Sequence, residues 1–93
     1  MAQENIVKRI AYAVGYDITD VDAKDFINTL VDAGIEDIRR AGVDPLTIAN
    51  NALVIPTLIM FVNDNLNLTA GSYKTSAMYR ENVDALRGSN HES

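Results

Sequence analysis

Cysteine and tryptophan are absent from this 93-residue chain, proline and phenylalanine occur twice each, and the one histidine is His91, close to the end. Without cysteine there is no disulfide framework, on which small secreted domains usually lean. A reducing compartment or a self-sufficient core is therefore expected. One histidine and no cysteine also remove most transition-metal sites. The longest apolar stretch, Ala52 to Val62, contains Pro56 and is too short for a membrane span of about 20 residues. Met1-Ala2-Gln3-Glu4-Asn5 has neither a basic region nor a long apolar run, so no signal peptide is expected. The chain reads as soluble and intracellular, without a membrane partner.

Apolar residues make up 47% of the chain and charged residues 23%, close to the globular average. That excludes a disordered acidic tail or a fibrous repeat. The expectation is one domain over residues 1–87, with 88–93 as a flexible C-terminal tail. A chain this short buries only about 60–65% of its unfolded surface, so partner surfaces can help to complete its modest core.

The net charge of −5 is unevenly placed. Residues 17–37 hold seven acids (Asp17, Asp20, Asp22, Asp25, Asp32, Glu36 and Asp37) against Lys24 alone, a net −6, so the rest of the chain is near +1. Free nucleic acid needs clustered cations, and the only adjacent basic pairs are Lys8-Arg9 and Arg39-Arg40. The acidic segment is either a solvated helix face or a face for a basic partner or a second copy, where complementary charge would set register.

Periodicity predicts an all-α fold, a small bundle of about four helices with one long member. The first covers about Gln3 to Val14, with Ile6, Val7, Ile10 and Val14 at helical spacing and Gly15 as its stop. The second starts with Thr19 or Asp20 as cap and acids in its first turn. Ile27, Leu30, Val31, Ile35 and Ile38 form its stripe, and Arg39-Arg40-Ala41-Gly42 its end. Val43-Asp44-Pro45 reads as a turn. The third, apolar nearly all round, covers about Ala49 or Asn51 to Asn65. Pro56 means that it either begins near Leu53 or kinks. Residues 63–73 form a polar loop, with a short extended piece possible over 67–73. The last helix covers about Thr75 to Arg87, with Tyr79, Val83 and Leu86 inward.

Chemistry is sparse. Asp17 to Asn28 resembles a calcium loop only at first sight, because neither register places glycine and the bidentate glutamate where such a loop needs them. The five glycines are scattered, so there is no phosphate loop. No nucleophile–histidine–acid set is available. The chain is therefore not expected to be an enzyme, and no cofactor, metal or catalytic residue is assigned. The four tyrosines, Tyr12, Tyr16, Tyr73 and Tyr79, suit either a core edge or an interface. Arg39 and Arg40 suit either the helix dipole or an intersubunit pairing with the acidic segment of a neighbouring copy. Asp20, Asp25, Asp32, Arg39 and Arg40 are accordingly the candidate oligomer interface. Asn65, Asn67 and Tyr73 are the candidate docking loop.

The order of elements, the apolar segment Ala52-Leu53-Val54-Ile55-Pro56-Thr57-Leu58-Ile59-Met60-Phe61-Val62-Asn63-Asp64-Asn65 and the closing segment from Ser76 to Arg87 together carry a resemblance. Over residues 3 to 87 the chain resembles the small head–tail connector (head-completion adaptor) proteins of tailed bacteriophages. That resemblance implies a structural virion protein at the head–tail junction, assembled in the host bacterial cytoplasm. It implies a homo-oligomeric ring beneath the portal protein that meets a stopper or tail-completion protein. DNA would pass through its channel without sequence-specific binding. The competing reading is a small acidic helical regulatory or adaptor module acting as a dimer on a basic protein partner.

Overall fold

The computed structural model describes residues 4–66 and 74–89. They form five helices: α1 (Glu4–Ala13), α2 (Val21–Arg40), α3 (Pro45–Asn50), α4 (Val54–Asp64) and α5 (Ala77–Gly88). No strand occurs among the described residues, so the fold is all-α. The long helix is where the periodicity puts it. At 20 residues it is about 30 Å long.

Two helix ends are made by glycine. Gly42 has φ +104°, a conformation that a residue without Cβ enters at little cost. Its N–H donates to the Arg39 carbonyl at 3.0 Å, and the Val43 N–H donates to the Ile38 carbonyl at 3.3 Å. This crossed pair satisfies carbonyls that the helix leaves open, and it buries Val43 beside Ile38. Gly15, with φ +82°, closes α1 in the same way, through Gly15 to Tyr12 and Tyr16 to Ala11. Asp20 starts α2, its side chain accepting from the Asp22 and Ala23 N–H groups. Thr19, the other candidate cap, instead donates to Asp17.

The middle of the chain corrects the expected four helices. Asp44-Pro45 is not only a turn. Asp44 Oδ1 accepts the Thr47 N–H at 2.7 Å, and Pro45 takes the first helical position, so a six-residue helix begins there. It stops at Asn51, whose side chain accepts the Leu53 N–H. The apolar helix therefore starts at Val54 and not at Ala49 or Asn51. Pro56 falls in its first turn, where a missing N–H breaks no intrahelical bond. There is no need for a kink.

α2 and α4 form the central pair; α1 lies against both, α5 against α4 and α3 against α2. The core comes from the predicted stripes: Val7, Ile10 and Ala11; Ile27, Leu30, Val31 and Ile38; Val54, Leu58, Phe61 and Val62; Tyr79, Val83 and Leu86. Ile35 lies at its edge. α2 and α4 meet closely at Gly34. A Cβ there would lie 2.9 Å from Leu58 Cδ2 and 3.0 Å from Phe61 Cδ1. Thr47 is buried and its hydroxyl donates to the Ser89 carbonyl, tying α3 to the end of α5. Arg87 donates to the Ala41 carbonyl at the same end of the bundle.

Gly34→Ala sets two effects against each other. Helix propensity favours Ala by about 1 kcal/mol, whereas overpacking costs about 1–3 kcal/mol. Leu58 and Phe61 are both buried, and the stiff Phe61 ring is already held against Tyr79, so overpacking wins. The variant is expected to lose about 1 kcal/mol and to melt about 4–8 °C lower. A thermal melt that moves upward would contradict the close packing.

Candidate functional site

The sequence places its chemistry-bearing residues on α2, and the structure divides them by what each already does. Positions 22, 25, 32, 36, 39 and 40 share the outward face of α2, opposite Ile27, Leu30 and Ile38. Asp22 and Asp25 are exposed and Asp32 is half-buried. Asp20 is spent on capping α2. Arg39 and Arg40 are exposed, yet both are held by Glu36 on their own helix. Arg39 makes a two-pronged contact at 3.0 and 2.6 Å, and Arg40 Nε lies at 3.1 Å. The bond from Arg39 is the main reason that the Glu36 carboxyl sits below its ordinary pKa. The expected interface residues therefore do not form one set. Asp25 and Asp32 share the outward face, Asp20 is structural, and the two arginines already share a carboxylate.

The expected docking loop is corrected at its first residue. Residues 63 and 64 belong to α4, and Asn65 is buried rather than displayed. Its amide nitrogen donates to the Phe61 and Lys74 carbonyls at 2.8 and 2.7 Å, and its oxygen accepts the Lys74 N–H at 2.6 Å. Asp64 adds a bond from the Ser76 N–H. These contacts clasp the two described ends on either side of residues 67–73. Asn67 and Tyr73 lie outside the described residues, as do the extended piece expected there and residues 90–93 of the tail. Of the tail, Gly88 is the last residue of α5.

Spacing could not reveal one polar contact, because its partners lie 42 residues apart. The buried Tyr79 hydroxyl donates to Asp37 Oδ2 at 2.6 Å. Arg80 stands 3.6 Å from the same oxygen, and its guanidinium lies over the Tyr79 ring. Phe61 meets that ring at 5.6 Å between centroids. Burial first, and then the bond to and charge of Asp37, push the Tyr79 phenol far above its ordinary range, with Arg80 opposing. Beside this contact is a cleft of about 220 Å³ bordered by Glu36, Asp37, Arg40 and Arg80. It is smaller than ordinary small-molecule sites of about 300–1,000 Å³, and its charges already face one another.

A second, wider groove of about 590 Å³ lies between α1 and the turn that leads into α2. Lys8, Arg9 and Tyr12 line it from α1; Tyr16, Asp17 and Ile18 line it from the turn. Lys8 and Arg9 are exposed, and Tyr12 is 88% exposed. Tyr16 is half-buried against Phe26, with ring centroids 6.0 Å apart. The adjacent cations are visible in the sequence, but their sharing a groove with two tyrosines is not. Asp17 is occupied by the Thr19 N–H and hydroxyl, and the backbone bond chiefly lowers its pKa. Among the described residues no group of three His, Cys, Asp or Glu side chains could hold a metal ion. No described helix is long and apolar enough to cross a membrane.

Tyr79→Phe removes a bond to a charged acceptor and is expected to cost about 1.5–3 kcal/mol. The folded state raises the Tyr79 pKa, so its contribution is complete below the ordinary tyrosine value of about 10 and fades as the pH rises above it. Urea unfolding at increasing pH should show a decline in the parent that is reduced in the variant. Equal declines would mean that folding does not raise the Tyr79 pKa.

Comparison with known proteins yields no match to a family model, a curated protein or a solved structure.

Proposed function

We infer that the chain is a structural protein of a phage virion. It is a ring-forming adaptor that joins the capsid portal to the tail or stopper and extends the DNA channel. The observation that carries this reading is the outward face of α2. Asp22 and Asp25 are exposed and Asp32 is half-buried along about 15 Å of a helix whose other face is locked into the core. A rigid face that is acidic over its first turns suits a repeated protein contact, in which complementary charge sets register. Carboxylates that are not buried between copies would also repel the phosphates of passing DNA and let it slide. The resemblance of residues 3 to 87 to head–tail connectors supplies the setting: host cytoplasm during assembly, and afterwards the junction of head and tail.

The contact expected from sequence, carboxylates of one copy against Arg39 and Arg40 of the next, needs revision in this reading. Both arginines share the one carboxylate of Glu36, so a neighbour would compete with that pairing for at least one of them.

The native mass of the purified chain over a wide concentration range tests the proposal. One discrete, high-order closed species that grows in with concentration is expected. A dimer at every concentration would overturn the ring and favour the acidic module that acts on a basic partner.

A further inference from the structure

We propose that the groove formed by Lys8, Arg9 and Tyr12 of α1 with Tyr16 of the following turn receives the outward face of α2 from a second copy of this chain. The inference rests on the self-assembling reading above and assigns its two surfaces.

The occupant follows from complementarity within a single sequence. The groove offers two exposed cations on α1 against one carboxylate, Asp17, which the Thr19 N–H and hydroxyl already hold, and a tyrosine ring that is almost wholly in solvent. The α2 face offers exposed Asp22 and Asp25, one turn apart, with Val21 next to them. Val21 is 69% exposed, although it is a large apolar residue. Few large apolar side chains are left so open among the described residues, and Tyr12 and Val21 are two of them. An apolar centre flanked by opposite charges is the ordinary anatomy of a protein contact, in which tyrosine is enriched. Lys8, Arg9, Asp22 and Asp25 are all exposed in the same molecule.

Nucleic acid fits the groove less well. Phosphate binding grows with the number of cations, and two cations on a chain of net charge −5 give little. In this assignment Lys8 and Arg9, and not Arg39 and Arg40, form the basic side of the contact. Used once between each two copies, a contact of groove with face is heterologous. It leaves a groove free at one end of the chain of copies and a face free at the other, and it propagates until a ring closes.

Complementary charge reversal tests the assignment. One variant carries Lys8→Glu and Arg9→Glu; the other carries Asp22→Lys and Asp25→Lys. All four positions are exposed, and far-UV circular dichroism confirms that each variant is folded. Lys8→Ala with Arg9→Ala is the milder version should a reversal unfold the chain. In sedimentation, each variant alone is expected to associate about tenfold or more weakly than the parent. An equimolar mixture is expected to recover the parent's association, because every groove then meets a face of opposite sign. Parent association that is unchanged by Lys8→Glu with Arg9→Glu would overturn the groove while leaving the ring intact. Weakening without recovery in the mixture would mean that the two surfaces do not meet, again with the ring intact. A parent that stays monomeric at every concentration would remove both the groove contact and self-assembly. Retention of a duplex DNA fragment by the parent at physiological salt, lost in the Lys8→Glu and Arg9→Glu variant, would assign the groove to phosphate and overturn the proposal.

Discussion

The architecture depends on the missing side chain at Gly34. There α2 comes close enough to α4 that an added Cβ would crowd Leu58 and Phe61. Phe61 then meets the ring of Tyr79 on α5. Tyr79 reaches back to Asp37, three residues beyond Gly34 on α2. Three helices are thereby locked in a closed circuit: an apolar approach, an aromatic pair and a charged hydrogen bond. In a domain with so modest a core, each link restrains the others. The buried hydroxyl is tolerable only because Asp37 accepts it, and Asp37 is placed only because α2 lies this close.

That lock determines what remains outside. With its inner face held, α2 cannot rotate, so positions 22, 25 and 32 stay outward together. The helix's two ends are finished by its own residues, Asp20 at the start and the Gly42–Val43 turn at the finish. Near the end of α2, Arg39 and Arg40 share the one carboxylate of Glu36. Exposed Asp22 and Asp25 lie in the first half of α2, and exposed Lys8 and Arg9 on α1. The segregation of charge in the sequence thus reaches the surface as two separate patches of opposite sign. In the reading proposed here, copies of the chain recognise one another through those patches.

Much of this was legible in the sequence, and what was not has identifiable physical causes. The α2 stripe and the stops at Gly15 and Gly42 depend on neighbours three to five residues apart, which a sequence displays directly. α3 was hidden because Asp-Pro begins a turn and caps a helix with the same atoms, and six residues are too few to show a period. The start of α4 was ambiguous because proline is harmless in a first turn and disruptive later. Asn65 looked like a loop residue because it is polar; it is buried because its amide replaces the backbone partners of Phe61 and Lys74. The interface residues misled in a similar way. Glu36 stands three and four residues before the two arginines, so a local pairing was available in the spacing itself. The bond from Tyr79 to Asp37 and the groove on α1 arise only from tertiary packing.

The central claim is that the outward face of α2 becomes a subunit contact. Carbodiimide labelling of carboxylates, read by mass spectrometry in the dilute chain and in the concentrated assembled one, tests it most directly. Asp22 and Asp25 should label freely when dilute and become protected on assembly, while exposed Asp84 on α5 labels equally in both. Equal labelling of Asp22 and Asp25 in an assembled sample would show that the face stays in solvent, and the account of assembly through α2 would be wrong.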